Sequence, residues 1–163
     1  MAESGFIAVQ GAVSALDHLT GRVTALEAEW AAKQQAGDPL PRATYLMLLT
    51  QVVADGQTDM TSLLGIEASG TGYARQPVPW GAAGSPARGA TTTDLVQFGP
   101  FPDPTGLAAP VTGAALVTRM TGSAGQPTGL CLMAFNLATP VTTSQNQALQ
   151  LAAGSLQMTL AVS

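Results

Sequence analysis

The run Ala43-Thr44-Tyr45-Leu46-Met47-Leu48-Leu49-Thr50-Gln51-Val52-Val53 decides the fold. Its apolar density suits a helix or a buried strand, and periodicity alone does not separate the two over so short a window. Thr44, Tyr45, Thr50 and the adjacent valines are β-formers, and they favour a strand. Downstream, further candidate strands fall at residues 73–78, 92–98, 111–120, 129–135, 148–151 and 155–162. Between them lie Gly81-Ala82-Ala83-Gly84-Ser85-Pro86, Gly99-Pro100-Phe101-Pro102-Asp103-Pro104 and Gly122-Ser123-Ala124-Gly125-Gln126-Pro127. Such Gly and Pro breaks mark the hairpins and crossovers of an antiparallel protein. In the last segment Leu156, Met158, Leu160 and Val162 alternate with Gln157, Thr159 and Ser163, and Leu149 and Leu151 flank Gln150. Alternation of this kind belongs to a sheet covered on one side. The expectation for residues 43–163 is a mainly β domain, an antiparallel β-sandwich of Greek-key or jelly-roll type.

Upstream the pattern changes. Gly37-Asp38-Pro39-Leu40-Pro41 ends a helix and stiffens the chain, which makes residues 37–42 a Pro-rich linker. Before it the apolar residues follow a heptad. Val9, Leu16, Val23 and Trp30 occupy a positions, and Ala12, Leu19 and Leu26 occupy d positions. A seam of this spacing faces a partner helix along its length, so residues 1–36 are expected to be an α-helical coiled coil for oligomerisation. Gly11 and Gly21 each cost roughly 1 kcal/mol against Ala, so such a helix needs partners to persist. Arg22 at g and Glu27 at the next e are spaced for an interchain salt bridge between parallel helices. The stretch Arg22-Val23-Thr24-Ala25-Leu26-Glu27 also resembles the trimerisation signature of short coiled coils, which implies a homotrimer. The competing reading is an amphipathic helix packed on its own β domain.

Composition narrows the function. Charged residues are only 10 % and aromatics 5 %, against 18 Gly and 11 Pro. Much of the hydrophobic 46 % is Ala, so the core rests on a modest set of larger side chains, and burial against other subunits would complement it. The net charge is −4, and Arg22, Lys33, Arg42, Arg75, Arg88 and Arg119 form no basic patch, which argues against nucleic acid as a partner. The N-terminal residues lack the pattern of a secretory signal, and no apolar run reaches the ~18 residues of a bilayer span, so a soluble protein without membrane insertion is expected. A lone cysteine, Cys131, sits in an apolar run and reads as an inert small hydrophobe.

Little in the chain points to catalysis, metal binding or a cofactor. The single histidine, His18, falls at a solvent-facing c position, where it serves neither a triad nor a zinc site. Asp55-Gly56-Gln57-Thr58-Asp59 is faintly like a cation loop but lacks further carboxylates, and Asp-Gly reads better as a turn. Asp94 and Asp103 are the carboxylates on which a hydrolase reading would rest. Arg75 and Tyr73 are expected to pack across a strand pair, the arginine stem covering apolar surface.

Several segments of the β portion carry a resemblance that spans roughly residues 44–161. They are the apolar strand at 45–53, the block Gly72-Tyr73-Ala74-Arg75-Gln76 continuing into Pro77-Val78-Pro79-Trp80-Gly81, and Val96-Gln97-Phe98-Gly99-Pro100-Phe101. Thr139-Pro140-Val141 and an ending of alternating apolar residues around Ala152-Ala153-Gly154 follow. In this arrangement the chain resembles a group of tailed-bacteriophage virion proteins described as tail-fibre, minor-tail or head-decoration domains. Pro79 and Pro127 depart from the pattern and put the strand edges there in question. The resemblance implies a β-sandwich, localisation in the virion, a structural and non-enzymatic role, and other virion proteins of the capsid or tail as partners. The leading expectation is therefore a homotrimeric fibre, spike or capsid decoration protein. The alternative is a carbohydrate-binding module that grips a host-surface glycan near Trp80 and the loop at 100–104.

Overall fold

A computed structural model describes residues 5–7, 24–40, 42–54, 59–81, 89–120 and 129–159. Strand β1 (Gly5–Ile7) comes first, followed by helix α1 (Ala25–Gln35), strand β2 (Tyr45–Leu49) and helix α2 (Met60–Leu64). Strands β3 (Gln76–Pro77), β4 (Gly89–Thr91), β5 (Val96–Phe98), β6 (Val111–Val117), β7 (Cys131–Val141), β8 (Leu149–Leu151) and β9 (Gln157–Thr159) complete the order. The protein is mainly β, and every strand pairing among the described residues is antiparallel. A five-stranded sheet has the order β1-β7-β6-β2-β3, and β4-β9 and β5-β8 form two-stranded ladders.

The deciding run is indeed a strand, and its lack of polar alternation has a cause. All five residues of β2 are buried, because the central sheet is covered on both faces. Leu46 and Leu48 join Ala114, Leu116 and Phe135 on one face, where Val96 and Phe98 of β5 and the buried Phe101 close over them. Tyr45, Met47 and Leu49 point the other way, to Val53 and to Met60 and Leu63 of α2, together with Ala115, Val117, Cys131 and Ala134. A two-residue period on each side adds up to a continuous apolar run.

Irregular register keeps the other strands in phase with these two faces. In β6, Val111 lies on the β5 side, yet so do Ala114 and Leu116, which have the opposite parity. The register shift between Val111 and Gly113 makes that switch, as a bulge does. At Gly113 a Cβ atom would lie 2.5 Å from the Phe135 carbonyl oxygen, so only glycine fits. The adjoining Asn136 side chain accepts from the Val53 amide at 2.8 Å and donates to the Val53 carbonyl at 2.9 Å. It thereby straps the chain after β2 to β7.

Strand edges differ from the sequence reading in physically readable ways. Of the strand expected at 73–78 only Gln76 and Pro77 pair in a ladder, because Tyr73 and Arg75 turn inward to other partners. Strand β7 runs to Val141, six residues past its expected end at 135 and through Pro140. β1 pairs with β7 only at residues 133–135, so Pro140 removes no hydrogen bond from a second neighbouring strand. The short β8 keeps its predicted alternation, Leu149 and Leu151 half-buried and Gln150 exposed.

At the N-terminal side, the heptad reading carries one helix unbroken from Val9 to Trp30. The described helix begins instead at Ala25, because Thr24 has an extended backbone (φ −76°, ψ 155°) and acts as N-cap. The Glu27 amide donates to Thr24 Oγ1 and the Thr24 amide to Glu27 Oε2, both at 3.0 Å, which is a capping box. Leu26 and Trp30 lie on this helix, while Val9, Ala12, Leu16, Leu19, Arg22 and Val23 lie outside the described residues. Among the described residues no helix is long and apolar enough to cross a membrane.

Candidate functional site

Among the described residues the polar side chains concentrate at two places, one buried and one beside a small cavity. The first is centred on Glu67. Its segment lies beside β2, with a bridge to Leu49 and the Ala68 amide donating to the Leu48 carbonyl at 2.9 Å. The chain then turns back through Gly72, whose φ of +84° is a left-handed value. A Cβ there would also press within 3.0 Å of the Pro100 carbonyl oxygen, so the turn calls for glycine on both counts.

That turn returns Tyr73 and Arg75 to the Glu67 carboxylate. Arg75 Nε donates to Oε1 at 2.8 Å and Nη2 to Oε2 at 2.7 Å, the two-pronged geometry in which arginine binds carboxylate best. Nη1 donates to the Arg119 carbonyl at 3.0 Å. The Tyr73 hydroxyl donates to Glu67 Oε1 at 3.0 Å and accepts from the Leu48 amide at 3.1 Å. Its ring stacks on Phe98 with centroids 6.3 Å apart. Burial, reinforced by the neighbouring Glu67 carboxylate, pushes the Tyr73 hydroxyl well above the ordinary tyrosine pKa. Arg75 is only 2 % exposed, so this knot presents nothing to a ligand and acts as an internal fastener. The expectation of Arg75 and Tyr73 packing across a strand pair gives way to convergence on one carboxylate, and Glu67 is the member that sequence reasoning missed.

The second cluster fastens α1 to the end of β6. Lys33 is 4 % exposed, and its ammonium donates to the carbonyls of Thr118 at 2.8 Å, Leu40 at 3.3 Å and Ala43 at 3.4 Å. Those three acceptors match its three hydrogens. Asp38 lies 3.5 Å away, and the Tyr45 ring centroid 5.3 Å away. One helical turn earlier, Glu29 receives Arg119 Nε and Nη2, the latter at 3.1 Å. The hydrogen bond to Glu29 raises the Arg119 pKa above its ordinary value. Trp30 lies under Arg42, whose guanidinium carbon is 5.9 Å from the ring centroid, and the buried Trp30 indole N–H has no acceptor among the described residues.

The remaining candidate residues are placed apart from any common site. His18 and Asp55 lie outside the described residues. Asp59 is the N-cap of α2, accepting from the Ser62 amide at 3.0 Å and the Ser62 hydroxyl at 2.7 Å, which holds its carboxyl below the ordinary value. Asp94 is exposed and touched by the Thr93 hydroxyl at 3.5 Å, and Asp103 is half-exposed where the chain turns back to Gly106. Trp80 packs against the core and donates its indole N–H to Thr44 Oγ1 at 2.8 Å. In the loop at 100–104, the aromatic side chain of Phe101 is fully buried, so it offers no ring for a sugar to stack on. Burial pushes the Cys131 thiol up to about 12. Among the described residues no three His, Cys, Asp or Glu side chains are grouped to hold a metal ion.

Two cavities accompany these elements. One of about 320 Å³ lies between the central sheet and β8, lined chiefly by Leu46, Leu48, Phe135, Leu137, Leu149 and Leu151. The other, about 250 Å³, lies at the end of α1 beside Lys33, Asp38, Arg119 and Met120. Neither brings together groups suited to acid–base or nucleophilic chemistry.

The family described as Podophage GP4 fiber I protein gp80 matches residues 24–159, from the N-cap of α1 to the last residue of β9. No curated protein matches the chain. The match covers most of the sequence. The chain belongs to this podophage fiber I family and is a structural protein of the phage virion.

Proposed function

We propose that the chain is one subunit of a short homotrimeric fibre, spike or decoration of the particle, acting through assembly and attachment. Of the segment 1–36, residues 9–23 gather three copies, while β1 adds an edge strand to the central sheet and α1 docks on the β domain; residues 37–42 form the linker, and residues 43–163 supply the rest of a jelly-roll-like β-sandwich. The observation that carries this reading is the apolar heptad that starts at Val9, in a chain of a fibre family. Leu26 and Trp30 sit on α1, where the neighbouring Lys33 is buried against its own β domain. The shared axis is therefore assigned to Val9, Ala12, Leu16, Leu19 and Val23, with α1 as the element that joins it to the sandwich. Apolar burial between copies at these positions would supply the stability that a chain with few large apolar residues lacks by itself. The sandwich would then present its outer surfaces to the capsid or tail and to the surroundings.

Light scattering coupled to gel filtration tests the reading. The expected mass is three times the 16.5 kDa of one chain. Leu16→Asp with Leu19→Asp should reduce it to one chain while the β-type circular dichroism remains. A monomeric unmodified protein at micromolar concentration would sink the trimer.

A further inference from the structure

We infer that α1 is a fixed joint, which stays clamped to the linker and the end of the central sheet and leaves them only when the β domain unfolds. The inference does not depend on the number of copies, and it stands or falls separately from the trimer.

An eleven-residue helix does not persist alone in water. Apolar packing holds this one only in part, since Leu26 and Trp30 are half-buried, Lys33 is its one fully buried side chain, and Ala25, Ala28, Ala31 and Ala32 are exposed. Polar contacts supply the rest. Lys33 gathers carbonyls from three places: Leu40 and Ala43, which bracket Pro41 of the linker, and Thr118 just past β6. One ammonium thus pins the linker and the sheet end to the helix at once. Glu29, four residues earlier and so on the same helix face, holds Arg119 with two hydrogen bonds.

Two attachments one turn apart fix rotation as well as position, whereas a single one would let the helix pivot. The chain of contacts does not stop at the surface. The Arg119 backbone carbonyl accepts from Arg75, which is bound to Glu67 beside β2. A pull or twist applied at Thr24 therefore reaches the central sheet through hydrogen bonds and ion pairs. It does not dissipate in the linker.

Lys33 is the single lysine of the chain, so a lysine-specific protease makes one cut and reads this joint directly. Cleavage needs the Lys33 side chain and the backbone around it released from the β domain. In the unmodified protein the cleavage rate should follow the same urea dependence as loss of far-ultraviolet circular dichroism, because α1 leaves only when the domain unfolds. Glu29→Gln and Arg119→Gln should each raise cleavage without urea by about tenfold, the order expected for losing a charge-assisted contact, while the dichroism stays native. If Arg119→Gln also loses its dichroism, Glu29→Gln decides. Rapid, urea-independent cleavage of the unmodified protein would overturn the joint, and so would unchanged cleavage in a natively folded Glu29→Gln variant.

Discussion

The Glu67 knot and the α1 clamp use the same chemistry in different surroundings. Each pairs an arginine with a glutamate through two hydrogen bonds, and the two meet at Arg119, whose carbonyl serves one and whose side chain serves the other. In the knot the Arg75 side chain is 1 % exposed and Glu67 16 %, while in the clamp Arg119 is 31 % exposed and Glu29 13 %, so the two pairs differ at the arginine. Water that reaches Arg119 screens its pair and can replace either partner, and at Arg75 it can do neither. Geometry alone therefore does not rank the two, and burial does. In a chain with so little charge, the buried charges mark where elements are tied together.

Truncating the two arginines in parallel puts that ranking to the test. Arg75→Ala leaves Glu67 buried with Tyr73 as its remaining side-chain donor and should cost about 3–5 kcal/mol in urea unfolding, enough to leave much of the protein unfolded. Arg119→Ala should cost less, about 1–2 kcal/mol, since the half-exposed site it vacates admits water to Glu29. Removing the charge at both ends, Arg75→Met with Glu67→Leu, should recover a large part of the first loss, because no ion is left stranded. Equal costs at the two arginines would mean that burial does not set their worth.

The same contrast explains what could be read in the sequence. The strand at 45–49 was legible because the β-formers Thr44, Tyr45 and Thr50 and the adjacent valines decided against the helix that the apolar run also allowed, and the alternation of Leu149, Gln150 and Leu151 was legible because one side of β8 meets solvent. Glu67 was not, since its partners lie six and eight residues away across an irregular turn that has no period to detect. The capping box Thr24-Ala25-Leu26-Glu27 was available as a signal, but its residues overlap the heptad, and the longer pattern absorbed them. Lys33 occupies a d position of that heptad. A charge there is a local conflict, and in the structure it resolves by turning onto the protein's own carbonyls. The role of Asp59 was not read: the anticipated turn rested on Asp55-Gly56, outside the described residues, and the helix that Asp59 caps, α2, was not anticipated.

Within the knot, Tyr73→Phe should have an intermediate effect. It strands the buried Leu48 amide and removes one donor from Glu67, a loss of about 1–3 kcal/mol near neutral pH. The pH dependence sharpens the assignment. The folded-state pKa of Tyr73 is raised, so its contribution is complete below the ordinary tyrosine value of 10.0 and declines as the pH climbs from there toward the folded value. Unfolding curves of the two proteins should therefore draw together above pH 10. Tyr45 and Cys131, whose values burial also raises, are present in both proteins and cancel in the difference. A gap that stays constant through that range would show that the hydroxyl is not held protonated by the fold.

The smallest effect belongs to the Glu29–Arg119 pair itself, taken free of everything else each residue does. A double-mutant cycle with Glu29→Gln and Arg119→Gln isolates it, because the side-chain stems and the backbone carbonyl that Arg75 uses remain. The coupling should be about 0.5–1 kcal/mol and should shrink as salt rises from low to physiological strength, as for any pair that water can reach. A coupling of several kcal/mol, insensitive to salt, would place the clamp in the same regime as the knot. Since apolar burial holds α1 only in part, even this modest term matters to the helix. It adds to the Lys33 contacts on the same face, and together they set how often α1 leaves the sheet while the domain stays folded.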